Sequence, residues 1–221
     1  MNNGHSGSSG QASVTAIVGL AASIVALLVS VVTAGYNLVG YFQKPELTLL
    51  PPEQVTLHIN YSGKFAYLAM VTDFNIFNGS RPEKYGLVTG ERLEFTIDGV
   101  RRVLRWQEFG KWGDKGFQAS GPAQPFGVAG GAVNAQEVCF EPRSKDQTEL
   151  LPGETEDINW FDWDKFLQFM GKASTLRVHC VVELHGGKTL TSDVELQLHE
   201  GVKAALQDPK RRWAAAACKK L

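Results

Sequence analysis

A chain of 221 residues with a formal net charge of −1 has the length of one domain plus an appendage, and so balanced a charge argues against general nucleic-acid binding. Three cysteines, Cys139, Cys180 and Cys218, at wide irregular spacing fit neither a disulfide framework nor a CxxC zinc site. They read as free thiols, with Cys180 packed in a core.

Residues 1–13 form an uncharged polar tail, and residues 14–42 read as a transmembrane helix. From Val14 to Ala34 such a helix is about 31 Å long at about 1.5 Å per residue, matching a hydrocarbon core of about 30 Å. Its Val, Ile and Leu residues, each contributing about −0.3 to −0.6 kcal/mol, outweigh Thr15, Gly19, Ser23, Ser30 and Thr33. Tyr36, Tyr41 and Phe42 fall at the far interface, followed by Lys44 and the helix-ending Pro45. A buried soluble helix would seldom be apolar all round. A cleaved signal peptide ending at Val32-Thr33-Ala34 would need a basic leader, where the chain has "MNNGHSGSSGQAS". Lys44 and Lys64 lie on the C-terminal side and no lysine or arginine on the other. In a bacterial inner membrane this places the C-terminal domain in the cytoplasm in preference to the periplasm. Ala22, Ala26, Ser30 and Ala34 recur every four residues, a small-residue stripe through which a homo-oligomer would pack.

From Glu46 the apolar period switches to two. "FAYLAMVTDFNIF" sets Leu68, Met70, Phe74 and Ile76 on one face, and "ERLEFTI" does so with Leu93, Phe95 and Ile97. Asp98-Gly99 predicts a tight hairpin into "VRRVLRW", with Val100, Leu104 and Trp106 inward. A long glycine- and proline-rich loop from Gly110 to Ala135 leads to a short strand with Val138 and Phe140 on one face. "NWFDWDKFLQFMGK" carries a helical stripe of Trp163, Phe166, Leu167 and Met170, ended by Gly171. In the last hairpin, Leu176, Val178, Cys180, Val182 and Leu184 face Leu190, Val194, Leu196 and Leu198. Pairing Leu184 with Leu190 and Cys180 with Val194 requires an odd-length loop around Gly186-Gly187.

The expected fold is mainly β: the N-terminal transmembrane helix, then an immunoglobulin-like antiparallel β-sandwich over 46–200 with one short connecting helix. Residues 201–221 read as a basic C-terminal helical tail, started by Asp208 and Pro209 before an alanine run. The series "FNIFNGSRPEKYGLVTGERLEFTI", "QPFGVAGGAVNAQEVCFEP" and the terminal Gly-Gly hairpin resembles bacterial single-pass membrane-anchored proteins of uncharacterised function with an immunoglobulin-like domain. That resemblance implies a fold and a tether and carries no catalytic residues.

Chemistry is sparse. His179, Glu183 and His185 share an outward strand face, but two neighbouring ligands and a distant third make no metal site. Asp157, Asp162 and Asp164 lack the glycine and closing glutamate of a calcium loop and suit a helix N-terminus. There is no GxSxG, and "GVAGG" lacks a P-loop ending. Asn60-Tyr61-Ser62 and Asn78-Gly79-Ser80 match glycan sequons, relevant only in a secretory pathway. The sequence therefore points to no catalytic, cofactor-binding or metal residues and to a membrane-tethered binding or scaffolding module acting through protein-protein recognition. A structural subunit of an envelope or secretion assembly is the alternative, and a metal-dependent enzyme the remotest. Candidate partner contacts are Trp112, Phe117 and Phe126, weighed against core packing of the same rings. Lys210, Arg211, Arg212, Trp213, Lys219 and Lys220 are candidates for an anionic membrane surface.

Overall fold

A computed structural model of the protein describes residues 9–42, 44–62, 65–97, 99–113, 116–142, 160–208 and 211–221. It divides into two units, Met1–Lys44 and Pro45–Leu221. In the first, α1 spans Ser9–Phe42, and its stretch Ile17–Tyr36 is long and apolar enough to cross a membrane. Every residue from 17 to 36 is exposed. The hydroxyls of Ser23, Ser30 and Thr33 donate to the carbonyls of Gly19, Ala26 and Val29 at 2.9, 2.8 and 2.8 Å. Each of these three hydroxyls thus finds a partner within its own helix, which lowers its cost in hydrocarbon.

The second unit is mainly β. Its strands are β1 (Leu47–Leu50), β2 (Gln54–Ser62), β3 (Phe65–Asn78), β4 (Tyr85–Ile97), β5 (Val100–Gly113) and β6 (Gly116–Pro122). After them come β7 (Phe126–Ala129), β8 (Val133–Glu141), β9 (Trp160–Asp162), β10 (Thr175–Leu184), β11 (Thr189–Gln197) and β12 (Trp213–Lys220). Two helices interrupt the series, α2 (Trp163–Lys172) and α3 (Glu200–Gln207). All strands join one antiparallel sheet, and its pairings run β4, β5, β8, β3, β2, β12, β11, β10 and back to β4. The sequence suggested two facing layers; hydrogen bonding in fact passes from one layer into the other without a break. A ring of eight strands encloses just enough room for side chains. Phe74, Phe140, Leu57, Ile59, Met70 and Leu104 fill it, the two phenylalanine rings 5.2 Å apart.

Period-two patterning places most inward residues as expected: Leu68, Met70, Phe74, Ile76, Leu93, Phe95, Ile97, Val138 and Phe140 are all buried. Val100, expected inward, is exposed beside the β4–β5 turn, and Arg102 is the buried residue two positions on. The β10–β11 loop is odd-length, as the alternation requires, but the register is two residues tighter than expected: Leu190 faces Val182, and Val194 faces Val178. Leu184 N–H instead donates to the Lys188 carbonyl at 2.8 Å, so three residues make the turn. Helix α2 runs one residue past Gly171. Phe166 and Met170 are buried and Phe169 packs on the core, while Leu167 is half-buried; the Trp163 side chain lies outside the described residues.

Two expectations are corrected. The stretch from Gly110 to Ala135 is no loop, since it carries the end of β5, all of β6 and β7, and the start of β8. Nor is the C-terminus helical beyond Asp208. Asp208 ends α3, its N–H bonded to the Ala204 carbonyl at 3.1 Å, and "WAAAACKK" is strand β12. Its alanines have the highest helix propensity, but the gap between β2 and β11 must be closed, and tertiary pairing overrides that preference. Ala214 and Ala216 point inward and are buried.

The end of the ring where the chain enters is stapled by Asn78. Its Nδ2 donates to the carbonyls of Lys84 and Val128 at 3.0 and 2.8 Å, and its Oδ1 accepts from Ser80 N–H at 3.1 Å. Its backbone donates to Ala132 and accepts from Gly131 at 3.0 and 2.7 Å. The amide nitrogen of the Asn78 sequon is therefore buried and already engaged, which is incompatible with a glycan on the folded chain.

Candidate binding surface

Strand β5 outgrows the ring. It follows β8 as far as Gly110, opposite Glu137, and then continues as a hairpin with β6. His58 and Trp213 face outward, since they alternate with buried Leu57, Ile59 and Ala214. The Trp112 ring lies 6.4 Å from His58 and 5.3 Å from Trp213. Those residues sit on β2 and β12, so the hairpin bends back over the outer face of β8 and β3 as a flap. Trp112 N–H donates to Glu137 Oε2 at 2.7 Å and fixes the bend. Beneath lie outward-facing yet buried Ala69, Val71 and Cys139.

Two groups of residues that the sequence left separate thus meet. Trp112 packs on Trp213, and the Arg211 guanidinium stacks on Trp213 at 4.8 Å from the ring centre. Phe117 is half-buried inside the flap. Phe126 belongs elsewhere: with Trp106 and Phe109 it makes a triangle of rings 5.8 to 6.3 Å apart. Arg212 adopts a left-handed backbone, φ 48°, and its carbonyl accepts from Ile59 N–H at 2.9 Å. Burial, then the charge of Arg212, lowers the His58 pKa. Lys219 lies opposite Glu195 on β11, toward the other end of β12, with Lys220 opposite Val194; Lys210 lies outside the described residues. Ala22, Ala26, Ser30 and Ala34 are exposed along α1.

Tight backbone approach makes the flap specific. A Cβ on Gly110 would collide with the Gln118 carbonyl and would lie 3.0 Å from Ala119 Cα. Gly110→Ala is expected to displace the hairpin at a local cost of about 1–3 kcal/mol. Amide exchange at Trp112 should then accelerate at least tenfold while core amides keep their protection; unchanged exchange at Trp112 would contradict the flap.

The opposite outer face carries charge. Arg92 bridges Glu94 at 2.8 Å and Glu183, while Arg101 reaches Glu94 at 2.7 Å. His179 Nδ1 lies 3.0 Å from Asp193 Oδ1, and Arg177 lies 3.4 Å from Asp193. The bond with His179, with the nearby arginine charge, holds the Asp193 carboxyl below its usual range. His179 and Glu183 thus engage different partners, and His185 is exposed at the hairpin tip. Among the described residues no group of three or more His, Cys, Asp or Glu is placed to hold a metal ion. Asp164 is exposed in the first turn of α2, and Asp157 lies outside the described residues. Burial pushes the thiols of Cys139, Cys180 and Cys218 up to about 12, 12 and 11, so none is a ready nucleophile.

Sequence reasoning missed Glu91. The regular register between β10 and β4 places Glu91 opposite Val182 in the interior, in phase with Leu93, Phe95 and Ile97, and shifts only beyond it, between Glu183 and Leu184. Its Oε2 has no hydrogen-bond partner among the described residues, and burial raises its pKa from 4.5 to about 8. The signal was in the alternation itself, since the period-two face of Leu93, Phe95 and Ile97 extends back to Glu91; the bulge instead brings Val88, which strict alternation would turn outward, onto the same face. Comparison of the chain with protein-family models and with curated proteins finds no match.

Proposed function

We propose that the protein is a single-pass membrane-tethered binding or scaffolding module, anchored by α1 and acting through protein-protein recognition, with the immunoglobulin-like fold and the tether that its sequence resemblance implies. The observation that carries this reading is the aromatic-basic flap of Trp112, Trp213 and Arg211. It is level with Ala69, which pairs with His58, and Asn78 at the tethered end lies roughly 30 Å further along β3 at about 3.3 Å per residue. A tethered module presents its recognition surface away from its tether, and clustered Trp and Arg are what interface centres favour. The filled interior offers side-chain packing where a ligand carrier would need a cavity. A cytoplasmic orientation in a bacterial inner membrane completes the proposal, supported by Lys44 alone at the helix end.

The test uses the full chain in its native membrane. A photo-crosslinking residue at Gln118, on the exposed side of the flap, is expected to give one discrete adduct, and Arg211→Glu should reduce its yield at least fivefold. An adduct pattern equal to that of a crosslinker at Thr191 on the charged face would remove the flap as the recognition surface. Recovery of the chain in the supernatant after alkaline carbonate extraction would remove the anchor.

A further inference from the structure

Five of the seven large exposed apolar side chains described in the β body gather together, the other two being Val100 at the β4–β5 turn and Leu221. Leu50, Phe77, Tyr85, Leu87 and Val133 are between 37 and 69 % exposed, and strand register brings all five to one end of the ring. Phe77 lies opposite Val133 on one side and Thr48 on the other. Leu50 lies opposite Asn75, on the same outward face two residues earlier. Tyr85 and Leu87 lie opposite Ala129 and Gly127, in the strand that a short turn joins to Val133. The strand partners Thr48, Asn75, Gly127 and Ala129 are uncharged, and exposed Glu46 and Glu83 stand at the rim beside Phe77 and Tyr85.

The chain enters the body at this same end. Gly79 N–H donates to the Glu46 carbonyl at 2.8 Å, and Glu46 N–H donates to Ser80 Oγ at 2.7 Å, fixing Glu46 beside the end of β3 that carries Phe77. From Phe42, the last residue of α1, to Leu47 the chain reaches at most roughly 18 Å. An apolar strip rimmed by polar residues marks an interaction surface, and Tyr is a side chain that settles at a lipid-water boundary with apolar neighbours below it. We propose that Leu50, Phe77, Tyr85, Leu87 and Val133 form a lipid-docking belt that inserts into the interfacial layer of the bilayer spanned by α1. This deepens, and rests on, the reading of α1 as an anchor. The belt gives the body a second hold on the membrane, so that it is seated on the surface rather than swinging from a linker. The basic residues at Arg211 and Arg212 then lie at the end of the ring away from the lipid.

The experiment uses the full-length chain carrying Cys218→Ser, which leaves only buried native thiols. Single cysteines at Val133, Leu87, Val25 or Gln207, all exposed positions, are labelled with bimane. The protein is reconstituted in phosphatidylethanolamine-phosphatidylglycerol vesicles containing lipid brominated near the top of its acyl chains. Quenching at Val133 and Leu87 is expected to be at least threefold that at Gln207 in α3, with Val25 also strongly quenched. Quenching at Val133 and Leu87 no greater than at Gln207, with Val25 still quenched, would overturn the docking belt and leave the anchor standing. An unquenched Val25 would overturn both. Shielding of Val133 from aqueous iodide without quenching by lipid would show a second copy or another protein on the belt, and would overturn the proposal as well.

Discussion

Replacing Asn78 with Ala is expected to lower the stability of the β body by about 3–5 kcal/mol. The deletion leaves the carbonyls of Lys84 and Val128 and the N–H of Ser80 without the partner that holds each of them, and no water-sized substitute has access to a side chain that is fully buried. Asn78→Asp should be at least as harmful, because it sets a carboxylate oxygen against two carbonyl oxygens. Gly130→Ala reaches the same staple from the other side, where a Cβ would overlap the Arg81 carbonyl. The midpoint of denaturant unfolding of the detergent-solubilised full chain reads the effect, together with amide exchange at Gly131, whose N–H bonds to the Asn78 carbonyl. A loss below about 1 kcal/mol in Asn78→Ala would show that the turn closes without its staple.

Glu91→Gln is expected to do the opposite and stabilise the protein at neutral and alkaline pH. Burial raises the folded-state pKa of Glu91 to about 8 from an ordinary 4.5, so between these values the folded state holds a proton that the unfolded state has lost. The contribution of Glu91 is therefore fully present below about pH 4.5 and declines as pH rises through about 8. At about 1.4 kcal/mol per unit, the decline amounts to roughly 3–5 kcal/mol across that window. Glutamine keeps the shape and never ionises, so the variant should lose this slope. The check is the difference between wild-type and variant unfolding free energies at pH 5, 7 and 8.5. Parallel curves would show that the carboxyl finds a cation or water when it ionises.

The sequence made legible what depends on short-range patterning. Alternation from Leu68 to Ile76 and from Leu93 to Ile97 identified inward faces that are buried in the fold. The β10–β11 loop had to be odd-length, because parity follows from which residues are apolar. Its register slipped by two, because parity is blind to even shifts and the outcome depends on whether Leu184 or Val182 meets Leu190. Trp112 and Trp213 were each singled out as candidate contacts, yet nothing local shows that a bent hairpin stacks one on the other across intervening strands. Glu91 falls on the inward face that Leu93, Phe95 and Ile97 define, but a carboxylate there runs against the rule that charge faces water, and only the packed interior shows it buried.

The amino-acid sequence by itself determined the apolar helix, the mainly β composition of the body and its polar turns, since each follows from the hydrophobicity and backbone freedom of neighbouring residues. Only the tertiary structure decided that the sheet closes on itself, that alanine-rich residues 213–220 become the closing strand, and that five exposed apolar side chains gather where the chain enters. Those outcomes depend on pairing between strands distant in sequence, such as β2 with β12 and β4 with β10 around the ring. Hydrogen-bonding demand at an open sheet edge there outweighs the weak intrinsic preference of any single residue.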